Sequence, residues 1–254
     1  MSTYGLWLSA AGMKVTDHRQ TVLTNNLANA ETAGFKQDLA IVTQRRVESR
    51  SGPAGWTFAH PVLDNLSGGV HVRPAHYSTA QGPIHATGRP LDVAIQGEGF
   101  FTVSDGSVTL YTRDGNFTVN LAGELVLSAG GGRWKVLDDT QNPVIVPEDG
   151  EPPRVGSDGS IRQGAGVLAN LNVVHAEQPQ TMRKVGENLF EASTEVKPVR
   201  PQLVPESLEG SNSDVMSGLA QMIEASRVYE MNANLLRLQD EATGHAISRV
   251  GRAA

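Results

Sequence analysis

From Val215 to about Val250 the chain carries no proline, and its only internal glycines are Gly218 and Gly244. At 1.5 Å per residue this stretch predicts roughly 50 Å of helix, far beyond the ordinary globular helix. Wound at 100° per residue, it has two apolar sides. Val215, Leu219, Met222, Ala225, Tyr229, Ala233, Leu236 and Ile247 share one; Val228, Met231, Leu235, Leu238, Ala242 and Ala246 make another. A surface helix normally buries one stripe against its own core, so a second stripe calls for a second partner. Ser211, Asn212, Ser213 and Asp214 offer N-caps just ahead of it, and Asp214 also suits the positive end of the helix dipole.

The start of the chain repeats the pattern. A helix is predicted over about 3–31, with Leu6, Ala10, Met13, Leu23, Leu27 and Ala30 on one side and Tyr4, Leu8, Ala11, Val15 and Val22 nearly opposite. Asn25, Asn26 and Asn29 crowd its end, where short amides compete with the backbone. Gly34 then stops it in the left-handed conformation that only glycine takes cheaply. If Leu6, Met13 and Leu27 face the C-terminal helix, Val15 lies on the far side, free for a neighbour. Two such ends around a β-rich middle imply an α+β fold in which the long N- and C-terminal helices pair as a coiled coil and an antiparallel all-β domain is inserted between them. The side chains predicted to serve helix pairing and subunit contact are Leu6, Leu8, Met13, Val15, Val22, Leu23, Leu27, Leu219, Met222, Tyr229, Leu235 and Leu236.

The middle is read as a linker or extended arm over 37–83, a β-rich domain over 84–208 and the C-terminal helix over 209–254, after an N-terminal helical segment of 1–36. The arm is rich in Gly, Pro and Ser, yet Trp56, Phe58, Val62, Leu63 and Leu66 are more apolar surface than a solvated linker needs. Within the β domain Leu91, Val93 and Ile95 alternate with Asp92, Ala94 and Gln96. Asp105-Gly106, Asp114-Gly115-Asn116 and Ala122-Gly123 then recur about every nine residues between runs at 108–112, 117–119 and 125–127, which predicts an antiparallel meander. A second β stretch is predicted at 143–146, 153–155, 160–162 and 168–175, with 185–190 and the Pro-rich 197–205 as loop and edge-strand material.

Among 254 residues, 39% hydrophobic content supports a core, while 5% aromatic content keeps it modest. A net charge of −6, with Arg45 and Arg46 the nearest thing to a basic cluster, argues against a nucleic-acid partner. Without cysteine there is no disulfide and no thiolate chemistry. No run of about 18 apolar residues exists to span a membrane, and the first residues lack the basic and apolar regions of a cleavable signal. His60, His71, His76 and His85 match no compact metal-ligand spacing. Gly97-Glu98-Gly99 falls between strands and lacks the last glycine of a dinucleotide fingerprint, and Gly130-Gly131-Gly132-Arg133 lacks the Gly-Lys-Ser/Thr of a P-loop. Asp105 and the pair Asp138-Asp139 read as turn residues, and no Gly-x-Ser-x-Gly elbow occurs. The chain therefore reads as a non-enzymatic protein without cofactor or metal.

Three blocks carry a resemblance. Leu6-Trp7-Leu8-Ser9-Ala10-Ala11-Gly12-Met13 with Asn25, Asn26, Leu27, Asn29 and Gly34-Phe35-Lys36 resembles the N-terminal signature of bacterial flagellar rod and hook proteins. The run from Gly88 through Leu91, Asp92, Gly97 and Gly99 to Phe100-Phe101, followed by Arg113-Asp114-Gly115, is similar to that family's central block. Leu208-Glu209-Gly210-Ser211-Asn212, with Met222-Ile223 and Arg227-Val228-Tyr229-Glu230, resembles its C-terminal block. Length and the wording of 208–212 look most like the proximal rod members, with distal rod or hook members as the alternative and a secreted enzyme on a β scaffold as the more remote one. Ala30-Glu31-Thr32 and Ser213 depart from the usual pattern. The resemblance implies a structural subunit required for motility, which is exported through the flagellar type III apparatus without a cleaved signal. It also implies polymerisation through the terminal helices into the periplasmic rod, with copies of itself and other rod and hook proteins as partners.

Overall fold

The computed structural model describes residues 4–44, 69–73, 76–148, 150–200 and 202–250. Most of the arm, including His60 and the apolar residues from Trp56 to Leu66, lies outside the described residues. The chain forms two compact units: Met1–Leu27, Asp38–His76 and Val215–Ala254 belong to one, Ala28–Gln37 and Tyr77–Asp214 to the other. The N-terminal segment read from sequence as one piece, 1–36, is thus shared between them.

In the first unit two helices dominate, α1 (Tyr4–Ala28) and α2 (Val215–Val250). Neither contains proline, and the Asn-rich end of α1 gives way to turns in which Asn29 accepts from the Thr32 N–H at 3.2 Å. The helix therefore ends three residues before Glu31. Asn26 faces inward instead of capping: its amide donates to the Asp38 carbonyl at 2.8 Å and accepts from the Asp38 N–H at 2.7 Å. α1 and α2 run antiparallel, with Gly5 beside Gln239, Gly12 beside Asn232, and Gln20 Nε2 donating to Ser226 Oγ at 3.0 Å. Small and polar residues hold this line. Ser9, Thr16 and Ala225 are buried, and a Cβ on Gly12 would stand 3.0 Å from Asn232 Oδ1. Close approach of two helices through such residues is sterically cheap, whereas Leu or Met there would hold the axes apart. Beside α1, Val42–Gln44 pairs antiparallel with Val70–Val72, and Trp7, Ala10, Ala11, Lys14 and Val15 form a groove with the latter strand. Val15 is half-buried there. No helix among the described residues is long and apolar enough to cross a membrane.

The second unit is antiparallel throughout its paired strands. A nine-stranded sheet runs in the spatial order Arg183–Gly186, Leu189–Glu191, Thr109–Thr112, Phe100–Ser104, Lys135–Val136, Leu125–Leu127, Phe117–Val119; Val173–Ala176 pairs with Phe100–Ser104 and with Val196–Pro198. The predicted runs at 117–119 and 125–127 do form a hairpin. The simple meander fails between Thr112 and Phe117, because Phe100–Ser104 and Lys135–Val136 lie on the path between them. The Asp114-Gly115-Asn116 segment is therefore a crossover pinned by Val93 N donating to Gly115 O at 3.1 Å, and not a hairpin turn. The strand Val93–Gln96 pairs with Gln202–Pro205, and Ala94 is as buried as Val93 and Ile95, so both faces are covered. Alternation had reserved Ala94 for solvent. Leu203, in the Pro-rich stretch read as edge material, enters the core with Phe101, Phe117, Leu125, Leu127 and Ile161. Phe101 and Phe117 meet edge to face, ring centroids 5.2 Å apart, the arrangement the aromatic quadrupole favours.

Candidate functional site

The strand Ser207–Glu209 pairs with Ile84–Ala86, and its alternation points Ser207 and Glu209 inward while Leu208 is half-exposed. An inward glutamate is affordable only if cations meet it. They do. Glu209 Oε1 accepts from Lys36 Nζ at 2.6 Å and from the Gly82 N–H at 2.9 Å, and Oε2 accepts from Arg113 Nη1 at 3.1 Å. All three charged side chains are 5% exposed or less. Lys36 also donates to the Ala80 carbonyl at 2.8 Å, and Arg113 Nη2 to the Gly97 carbonyl at 2.7 Å. The Arg113 guanidinium lies 5.3 Å from the Phe100 ring centre. Burial draws both cations below their ordinary range, and the Glu209 carboxylate works against that shift.

The backbone around this cluster is equally specified. Gly34 has φ +66° and donates to the Glu209 carbonyl at 2.7 Å. A Cβ there would stand 2.4 Å from the Asp114 nitrogen, so glycine is required both for conformation and for space. Phe35 is buried beneath the Lys184 ammonium, 3.9 Å from its ring centre, and Lys184 Nζ donates to the Lys36 carbonyl at 2.9 Å. Asn212 closes the arrangement: its Oδ1 accepts from the Gln37 N–H at 2.7 Å, and its Nδ2 donates to the Ala80 carbonyl at 2.9 Å. Asn188 Nδ2 donates to the Ala33 carbonyl at 3.0 Å. With every oxygen of Glu209 occupied by donors and no solvent beside it, the cluster joins chain segments. It is not arranged for proton exchange with a substrate.

Of the sequence-predicted motif residues, Gly34, Phe35, Lys36, Gly97 and Arg113 come together here. Phe100 and Phe101 lie in the adjoining core, half-buried Leu91 packs against it, and Gly99 and Gly115 are tight backbone approaches in which a Cβ would meet Val173 Cγ1 at 2.9 Å and Val93 O at 1.7 Å. Asp92 is buried, Asn25 exposed, and Asn29 Oδ1 accepts from Thr32 Oγ1. Among the predicted helix residues Val22 is buried; Leu6, Leu8, Met13, Val15, Leu23, Leu27, Met222 and Leu236 are half-buried; Leu219, Tyr229 and Leu235 are exposed. Sequence reasoning passed over Glu209 and Asn212 as site residues. The signal available was the surplus of cations, Lys36 and Arg113, in otherwise core-forming motifs.

The comparisons with known proteins fall on these three charges. The flagella basal body rod protein profile matches residues 9–36, the flagellar hook protein FlgE/F/G D1 domain matches 94–163, and the flagellar basal body rod FlgEFG C-terminal profile matches 204–249. Lys36, Arg113 and Glu209 each come from a different one. A Caulobacter vibrioides flagellar basal-body rod protein FlgF is 32% identical, covering 91% of each chain. A FlgG rod protein from the same organism is 30% identical over 92% of this chain and 94% of its own length. A Mesorhizobium japonicum FlgF is 26% identical over 97% of each. With likeness running through nearly its whole length and through all three motifs that meet at Glu209, the chain belongs to the flagellar basal-body rod protein family.

Proposed function

We propose that this chain is a structural, non-enzymatic subunit of the bacterial flagellar rod, polymerising through its terminal helices with copies of itself and with other rod and hook proteins, and needed for motility. In this reading it is exported by the flagellar apparatus without a cleaved signal and works in the periplasmic part of the basal body. The observation that carries the assembly role is on α2. Leu219, Ile223, Met231, Leu235 and Leu238 recur at spacings of three, four and eight residues and are exposed, a stripe more apolar than a solvated helix face keeps. The line toward α1 is filled by small residues, so burial of the large ones awaits another subunit, and the helix pair winds with its neighbours as a coiled-coil layer.

Replacing Leu235 by Glu tests this. The purified variant should melt like the parent, since the side chain is already exposed, while cells carrying it should form no rods and not swim. Rods built normally by Leu235→Glu would refute the assembly surface. The proximal rod position is preferred from the wording of 208–212. The distal position has one observation in its favour, that FlgG-named relatives match at nearly the same identity as FlgF-named ones. Complementation of strains lacking one or the other rod subunit separates the two.

A further inference from the structure

The helix pair has two outer sides, and both are apolar. Gly5, Gly12 and Gln20 mark the side of α1 turned to α2, where they stand beside Gln239, Asn232 and Ser226. At about 100° per residue Trp7, Ala10, Ala11, Lys14 and Val15 fall nearly opposite that side. With Val70, His71 and Val72 they line a groove of about 320 Å³. Ala10 and Ala11 are its small residues, exposed Trp7 and Val70 its large ones. The same winding sets Leu219, Ile223, Met231, Leu235 and Leu238 across α2 from Ser226, Asn232 and Gln239, so the exposed stripe lies nearly opposite the contact with α1.

A stripe and a groove on opposite outer sides of one helix pair cannot cover each other within one chain. Between copies they are complementary. The stripe offers protruding leucines, an isoleucine and a methionine; the groove offers alanines between a tryptophan and valines, the kind of hole that large side chains of a facing helix fill. Charge agrees. Lys14 is exposed at the groove, and exposed Glu224 and Glu230 lie on the stripe's side of α2 with Arg227 between them, while Arg237 there is paired with Glu241. The pairing of Val70–Val72 with Val42–Gln44 holds the second wall of the groove in place. A contact between two different faces of one protein is heterologous: each addition leaves a stripe uncovered at one end and a groove at the other, so copies add until a ring closes or a filament grows.

We infer that the α2 stripe of one copy seats in the groove between α1 and Val70–Val72 of the next, so that copies join groove to stripe in one direction. This rests on the reading of the chain as a subunit whose α2 stripe meets another subunit, and it names the surface that receives the stripe. Crosslinking tests it, since the chain has no cysteine of its own. In cells that build flagella on the full-length chain, Ala10→Cys is combined with Leu219→Cys, Ile223→Cys or Leu235→Cys and a short bis-maleimide is added. At least one combination should give a ladder of dimers, trimers and higher species. Two single variants mixed, one in the groove and one on α2, should stop at the dimer, and each alone should give none. Dimers from an α2 cysteine alone mean that two stripes face each other and overturn the groove, as do crosslinks confined to one chain or no crosslink at all. Ala10→Trp fills the groove from an exposed position, and it should melt like the parent while rods are lost. If it melts early, Lys14→Glu, also exposed, takes its place. Normal rods from the groove variant while Leu235→Glu blocks assembly overturn this inference alone. Normal rods from Leu235→Glu overturn the reading beneath it.

Discussion

Lys36 and Glu209 stand 173 positions apart in the chain, and their side chains meet at 2.6 Å out of reach of solvent. Arg113 shares the same carboxylate, so one anion holds two cations that come from different thirds of the sequence. The chain passes between its two units after Leu27, Gln37, His76 and Asp214. Lys36 immediately precedes one passage, and Glu209 lies five residues before another. Holding these segments in register is what the cluster contributes to the molecule.

Glu209→Gln should therefore be costly. It leaves two buried cations uncompensated, and breaking a buried pair from one side typically costs about 3–5 kcal/mol. Lys36→Met should cost less, because Glu209 keeps Arg113 and the Gly82 N–H. In urea unfolding of both singles and the double variant, the double should fall short of the sum, as residues sharing one network do. Strict additivity would mean that the two side chains do not act together.

Two glycines should respond in opposite directions to alanine. Gly34→Ala must place a β-carbon at φ +66° and 2.4 Å from the Asp114 nitrogen, so it should destabilise by at least the roughly 1–3 kcal/mol of a strained backbone site. Gly218 lies inside α2 with nothing within 4 Å of where a β-carbon would stand, and Gly218→Ala should raise helix stability by about 0.5–1 kcal/mol. Thermal melts followed by circular dichroism check both.

Truncation should depend on ten residues. A chain of 28–214 retains Ala33, Gly34, Phe35 and Lys36 and should fold as a protease-resistant β unit. A chain of 38–214 loses Lys36, one of the three donors to the Glu209 carboxylate, together with the Ala33 carbonyl that Asn188 donates to and the Gln37 N–H that Asn212 accepts from, and should be cleaved faster and exchange its amides around 80–86 and 207–212 sooner. Equal protection in the two would place the unit boundary elsewhere.

Asp105 is one carboxylate through which acid should act. Its Oδ1 accepts from the backbone N–H groups of Val108 and Ser107 and from the Ser107 hydroxyl, which brings its pKa down to about 2. A carboxyl depressed in the folded state contributes stability that is present above the ordinary value near 3.8 and is lost as pH falls through about 2. The difference in stability between the parent and Asp105→Asn should thus be constant at neutral pH and shrink across that acid window. Parallel curves down to about pH 2 would show that the turn does not hold the charge.

Much of the architecture is legible in the residues because it depends on neighbours a few positions away. The two proline-free ends, their double apolar stripes, the short strands at 109–112, 117–119 and 125–127, and the Asp105-Gly106 turn all follow from local periodicity and backbone freedom. The Asn-rich end of α1 is legible as a stop, though not Asn26's turn inward to Asp38.

What the chain alone determined, then, was which segments are helix or strand and which motifs belong together, since local sterics and hydrophobic spacing act without knowledge of the rest of the molecule. Tertiary structure decided which long-range partners satisfy each buried group. It set small residues such as Gly12 and Thr16 along the helix contact, placed Phe100–Ser104 between strands that are successive in the sequence, and brought Glu209 between Lys36 and Arg113. Those outcomes depend on desolvation and close packing between residues far apart in the chain, and such costs exist only once the segments have met.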